Sequence, residues 1–205
     1  MEHKREKGQT GFSLIELVIT VAIMAILMKL SMPSYAAWVG NQQIRASTES
    51  IIGAIQIARM EAMKRNARVM FRLTDASNSS SDWRICLVPL NGTDCDPLQA
   101  DIQTRTSGEE SAQARVGVST LSSSINAGSF ASPLPIGGTP ASITFNGLGR
   151  PVTVGFTNIS RIDVRHATLA GTDQRRLAIM MTPAGSARAC DPQIPASPPN
   201  PRACP

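Results

Sequence analysis

Hydrophobic positions along this chain fall into three regimes. From Phe12 to Met32 they run almost without interruption, FSLIELVITVAIMAILMKLSM. From Ile44 to Ala62 they recur every three or four residues, and beyond Asn66 they alternate. An apolar run of 21 residues is about the length that crosses a bilayer as a helix. The stripe Ile44, Thr48, Ile51, Ile55, Ala58 and Ala62, with Ile52 and Met63 beside it, predicts an amphipathic helix packed on its own domain. Arg45, Glu49, Gln56, Arg59 and Lys64 lie off that stripe. Pro33-Ser34 separates the two stretches. Proline removes one hydrogen bond and crowds the preceding turn, so a bend is expected there rather than a stop. A nearly continuous helix over 12–66 would be roughly 80 Å long at 1.5 Å per residue.

After Asn66 the period is two. Val69, Phe71 and Leu73 precede a polar loop, TDASNSSSD, and Trp83, Ile85 and Leu87 follow it, which predicts a β-hairpin. Residues 89–114 read mostly as loop, with turn signals at Asn91-Gly92 and Asp96-Pro97. Further strands are expected at 115–121, 142–145, 151–156, 160–165 and 176–181. The Ser-, Gly- and Pro-rich stretch 122–141 reads as an exposed connection. The fold class is α+β: a long N-terminal helix, half transmembrane and half amphipathic, packed on an antiparallel β-sheet head.

Glu16 breaks the apolar run. A carboxylate buried in such a helix needs a partner, and Lys29 is roughly 20 Å further along. A secretory signal cleaved near Ser34-Tyr35-Ala36 is the weaker reading, since its apolar core would be roughly 7–15 residues and would not hold a glutamate. A cut between Gly11 and Phe12 would instead create a free α-amino group on Phe12. A neighbouring subunit staggered by about one helical turn could then present that amine to Glu16. Lys29, near the end of the span, can snorkel to the interface.

Gly11-Phe12-Ser13-Leu14-Ile15-Glu16-Leu17, after a basic leader, resembles the class III signal of type IV pilins and type II secretion pseudopilins. Pro33 matches the helix-bending proline of that family. The resemblance implies cleavage after Gly11 by prepilin peptidase on the cytoplasmic side, N-methylation of Phe12, and a subunit-assembly role for Glu16. A second resemblance lies in Ser50–Phe71, where Ala58, Arg59, Glu61, Ala62, Arg65, Asn66 and Val69 are similar to the GspH/FimT group of minor pilins and minor pseudopilins. Ile143–Pro151 resembles the strand, turn and Gly-Arg pair late in those heads, with Gly147 or Gly149 free to take φ > 0 in a tight turn.

These readings divide the chain into a leader (1–11), a transmembrane helix (12–32), an amphipathic helix entering the head (33–66), a periplasmic β-rich head (67–190) and a Pro-rich tail (191–205). The implied partners are other pilins or pseudopilins in a hetero-oligomeric filament, prepilin peptidase and the bacterial inner membrane.

Composition changes this picture little. The chain has 205 residues, 42% hydrophobic, 17% charged and 4% aromatic, with a formal charge of +5. It is not disordered throughout, and the charge is compatible with anionic partners without identifying one. No Gly-x-Ser-x-Gly elbow or phosphate-binding loop is present, Glu109 and Glu110 are adjacent rather than paired, and His166 is the one histidine beyond the leader. The expectation is a structural protein, neither enzyme nor cofactor carrier.

Cys86, Cys95, Cys190 and Cys204 all lie beyond the apolar run, and an even count facing an oxidising compartment favours disulfides over a metal site. Three connectivities are possible. We favour Cys86–Cys95 and Cys190–Cys204, each of which closes a short loop. The tail carries six prolines in its fifteen residues and should run extended. A second function comes from the FimT-like members that take up DNA through a Gly-Arg-x-Arg segment before a cysteine. Here Gly185-Ser186-Ala187-Arg188-Ala189-Cys190 keeps only the second arginine. Arg175, Arg176 and Arg188 are the DNA-contact candidates, with Arg161, Arg165 and Arg202 as further members of a basic patch.

Overall fold

In a computed structural model the described residues are 13–77, 79–108, 111–120, 130, 132–195 and 197–205. Helix α1 runs from Leu14 to Arg65. The chain divides into two units, Met1–Trp38 and Val39–Pro205. In the first, Leu14, Leu17, Val21, Met24 and Met28 are all more than half exposed. Among the described residues no single helix is long and apolar enough to cross a membrane. Leu14–Lys29 and Ser34–Arg65 pass that test only when taken together.

In the second unit the helical stripe is buried as its spacing requires. Ile44, Thr48, Ile51, Ile55, Ala58 and Ala62 are each at most 1% exposed, and Thr48, the polar member, returns its hydroxyl to the Ile44 carbonyl. Met63 lies off the buried face and is exposed. The helix ends at Asn66, whose φ of 47° is left-handed. Asparagine tolerates that conformation better than most residues, and it turns the chain directly into β1.

The strands are β1 (Arg68–Leu73), β2 (Trp83–Val88), β3 (Gln103–Arg105), β4 (Ala114–Ser119), β5 (Ala141–Phe145), β6 (Pro151–Val152), β7 (Arg161–His166), β8 (Leu177–Met181) and β9 (Ala187–Cys190). They form two sheets, in the orders β3-β2-β1-β5-β6 and β4-β7-β8-β9, and every strand pairing is antiparallel. The alternating positions face inward as expected: Val69, Phe71, Leu73 and Ile85 from the first sheet meet Val116, Ile162, Val164 and Ile179 from the second, and both meet the helical stripe. Trp83 seals the rim and donates its indole N–H to Ser50 Oγ at 2.9 Å.

Four sequence expectations need correction. β3 lies in a stretch read as loop, because its three residues are half or fully exposed and leave no alternating trace. β9 was hidden because only small side chains and Arg188, at its exposed position, precede the buried Cys190, so no hydrophobic alternation marks it. The strand expected at 151–156 shortens to β6 plus a Val154–Phe156 bridge. The connection 122–141 is not simply exposed. Residues 121–129 and 131 fall outside the described residues, but Phe130 is buried and Leu134 is hydrogen-bonded to the second sheet.

The β5–β6 turn explains the Asn-Gly-Leu-Gly-Arg sequence. Asn146 Oδ1 accepts the amides of Leu148 and Arg150, both at 3.0 Å, and Gly149 has φ +69°. Gly147 is needed for a different reason: a Cβ there would collide with Asn66 at the helix end.

Both disulfides form satellite clusters on the outer sheet faces. Cys86–Cys95 packs with Met70 and Val88, and Cys190–Cys204 with Phe130 and Ala178. The second holds the tail beside β9, where the Asp191 amide donates to the Arg202 carbonyl at 2.7 Å. It closes a loop of 14 residues in sequence separation, so Cys190→Ser with Cys204→Ser is expected to cost about 3 kcal/mol, read by urea unfolding of the full chain in detergent. An unchanged midpoint under oxidising conditions would contradict it.

Candidate functional site

Two places in the chain carry chemistry beyond packing. The first is the start of α1. Gly11 and Phe12 lie outside the described residues. Glu16 sits in the first helical turn, where the unpaired amides and the helix dipole favour a negative charge. It is exposed among exposed apolar neighbours. Its carboxylate is therefore presented on a surface that water solvates poorly and that a second helix could cover.

The second is the outer face of the β4-β7-β8-β9 sheet. Successive residues of a strand point to opposite faces, so Ile162 and Val164 enter the core while Arg161, Asp163 and Arg165 face out. Asp163 is fully buried nevertheless. It accepts Arg161 Nε at 2.7 Å, a second Arg161 nitrogen at 2.7 Å, Arg176 at 2.5 Å and the Leu134 amide at 2.9 Å. Arg161 stacks over Phe130, 4.6 Å from its centroid, and Arg176 donates to the Phe130 carbonyl at 2.6 Å. One carboxylate thus draws two guanidinium groups inward, and together they fasten Phe130 and Leu134 to the sheet.

That network redraws the candidate cationic patch. Arg176, a DNA-contact candidate on sequence, is buried and bonded to Asp163, and Arg161 with it. Arg175 remains mostly exposed and lies 3.8 Å from Asp191. Arg188 is exposed on β9 and donates to the Pro201 carbonyl at 3.3 Å. Sequence reading missed Asp163 as the hub. The available signal was its position two residues from both Arg161 and Arg165 in a strand, which places all three on one face.

It also missed Asn41. The Asn41 side chain donates to the Asp173 carbonyl at 2.9 Å and accepts the Arg175 amide at 2.7 Å, clamping the 171–175 loop to the helix. Gly40 beside it permits close approach, since a Cβ there would meet His166 ring atoms at 3.1 and 3.2 Å. Burial, and then the nearby Arg115 charge, lower the His166 pKa below 6.5. His166 Nδ1 accepts the amides of Thr168 and Leu169 at 3.3 and 3.2 Å, so the ring serves the loop as an acceptor.

At the far end of the helix Glu61 binds Arg65 at 2.6 Å and Lys64 at 3.2 Å. Those two hydrogen bonds lower its pKa below 4.5. Burial raises the Asp94 pKa, but hydrogen bonds from Arg72 and the Cys95 amide outweigh it, and the net shift is downward. Cys86, Cys95 and Asp101 come close enough together to suggest metal ligands. The two sulfurs are already joined in a disulfide, so they offer no thiolates, and the group does not fit a metal.

Comparison with known proteins agrees with both halves of the chain. Residues 7–28 match the family described as the prokaryotic N-terminal methylation motif, and residues 47–185 match that of type II transport protein GspH. The chain belongs to the GspH family. It is a structural subunit of the minor pilin and pseudopilin class, rather than a member of an enzyme family. Two crystal structures of the type IV minor pilin FimU from Pseudomonas aeruginosa PAO1 are similar. One matches at 16% identity and a TM-score of 0.43, covering 74% of this chain and 94% of that one. The other matches at 16% identity and a TM-score of 0.41, covering 73% and 97%. No curated protein matches.

Proposed function

We propose that this subunit is cut between Gly11 and Phe12, methylated on the new Phe12 amine, and held in the bacterial inner membrane by residues 12–32 with its head in the periplasm. It then joins a filament through that same helix. Glu16 selects the register by meeting the Phe12 amine of an adjacent subunit, and the apolar side chains from Leu14 to Met32 bundle with those of neighbouring helices. The observation that carries this reading is the coincidence of an N-terminal methylation motif over 7–28 with a GspH match over 47–185 in one chain. Glu16 lies in the first motif, on a helical surface whose apolar residues are left uncovered.

Between the two filament types the pilus is our reading, on the Cys190-Asp191-Pro192 ending. No catalytic step is assigned, since the family is one of structural subunits. DNA uptake would have to rely on Arg175 and Arg188 without Arg176, a weaker cationic surface than the sequence suggested. Intact-mass analysis of the protein recovered from cell membranes tests the processing step. The expected polypeptide begins at Phe12 and carries one added methyl group. A terminus at Met1, or one beyond Tyr35, would overturn the proposal.

A further inference from the structure

The arginines on the outer face of the second sheet are not all compensated. Pairing of β4 with β7 sets Arg115 directly opposite Arg165, an arrangement that is unfavourable for like charges unless something negative lies between or beside them. Asp163, two residues away on the same face, is fully committed to Arg161, Arg176 and the Leu134 amide. Among the described residues neither Arg115 nor Arg165 forms an ion pair. Arg115 donates to the carbonyls of Ala112 and Ala114, each at 2.9 Å. Arg165 donates one terminal nitrogen to the Leu134 carbonyl at 2.8 Å, while its buried Nε has no acceptor.

A cleft of about 490 Å³ adjoins this residue, between the end of β7, the 167–174 loop and the 133–136 segment. Arg165, His166, Gln174, Gln193 and the Asp163-bound Arg176 line it together with apolar Pro133 and Ile136, and among the described residues no aspartate or glutamate does. Gln174 uses its amide nitrogen to hold the His166 and Leu169 carbonyls at 3.0 and 2.9 Å, which fixes that wall.

We infer that this cleft binds a small oxyanion, of carboxylate or phosphate chemistry, against Arg165. A guanidinium fork matches either group through two parallel hydrogen bonds. The anion would pair with the guanidinium edge that faces the cleft and relieve the repulsion between Arg115 and Arg165. Arg115 acts through its charge and Arg165 through direct contact. The site is separate from the N-terminal assembly region and does not depend on it.

The test uses the full chain in detergent micelles with labelled arginine, following the Arg165 Nε–Hε resonance. Inorganic phosphate or citrate replaces chloride at fixed ionic strength. A saturable shift is expected, and the anion that saturates at the lower concentration identifies the chemistry. Arg165→Gln should weaken binding at least about tenfold, the loss of a charge-assisted hydrogen bond. Arg165→Lys should do nearly the same because it keeps the charge but not the fork, whereas Arg188→Gln should leave the affinity unchanged. The wild-type melting temperature should rise with the bound anion, and that rise should vanish in Arg165→Gln. A linear, unsaturable drift in the wild-type protein, or wild-type affinity retained by both Arg165 variants, would overturn the inference.

Discussion

Asp163→Ala is expected to destabilise the head by about 3–5 kcal/mol, because it leaves Arg161 and Arg176 buried without their counter-charge. The loss should appear in urea unfolding of the full chain as a lower midpoint, and Phe130 and Leu134 should become accessible to exchange and proteolysis together. The effect should not measure the net worth of the cluster. Replacing the whole group at once, Asp163→Leu with Arg161→Met and Arg176→Met, is expected to restore most of the stability, since buried ion pairs gain little over well-packed apolar residues. If the single variant unfolds at the wild-type midpoint, Asp163 is not the hub that its hydrogen bonds describe.

Glu16→Ala is expected to remove the subunit from filaments while leaving it in the membrane. Alanine is more easily inserted in lipid than glutamate, so the anchor itself is not weakened. The loss falls on assembly, where an adjacent amine would be buried with nothing to neutralise it. A penalty of about 3–5 kcal/mol corresponds to on the order of a hundredfold or more in incorporation. Quantifying the protein in sheared filaments against the membrane fraction measures this ratio. Equal ratios for wild-type and variant would refute the assigned role of Glu16.

The helical core was legible because it is written in one periodicity. Ile44 to Ala62 repeats at helical spacing and is buried residue for residue, and the alternations at Val69–Leu73 and Trp83–Leu87 became β1 and β2. The separation of the strands into two sheets was not legible, because alternation tells which residues face inward but not which strand lies beside which. Short strands such as β3 leave too few positions for any period to register. Glu16 stands out in the sequence because a charge in an apolar run is conspicuous, and its assembly role is the proposal tested above. Arg176 was misread for the opposite reason: arginine is usually solvated, and only the fold brings a buried carboxylate to it.

The tail fastened by Cys190–Cys204 has a consequence for how such a subunit waits in a crowded membrane. β9 is the last strand of its sheet, and its outer backbone groups would otherwise be a template for any passing extended chain. Asp191 and Ala203 bridge in parallel across that margin. At the opposite margin, β4 is bridged by Ser80 and Gly137. Both borders of the second sheet therefore carry local chain segments that compete with strand exchange between stored subunits, which favours polymerisation through the helix over polymerisation through the sheet.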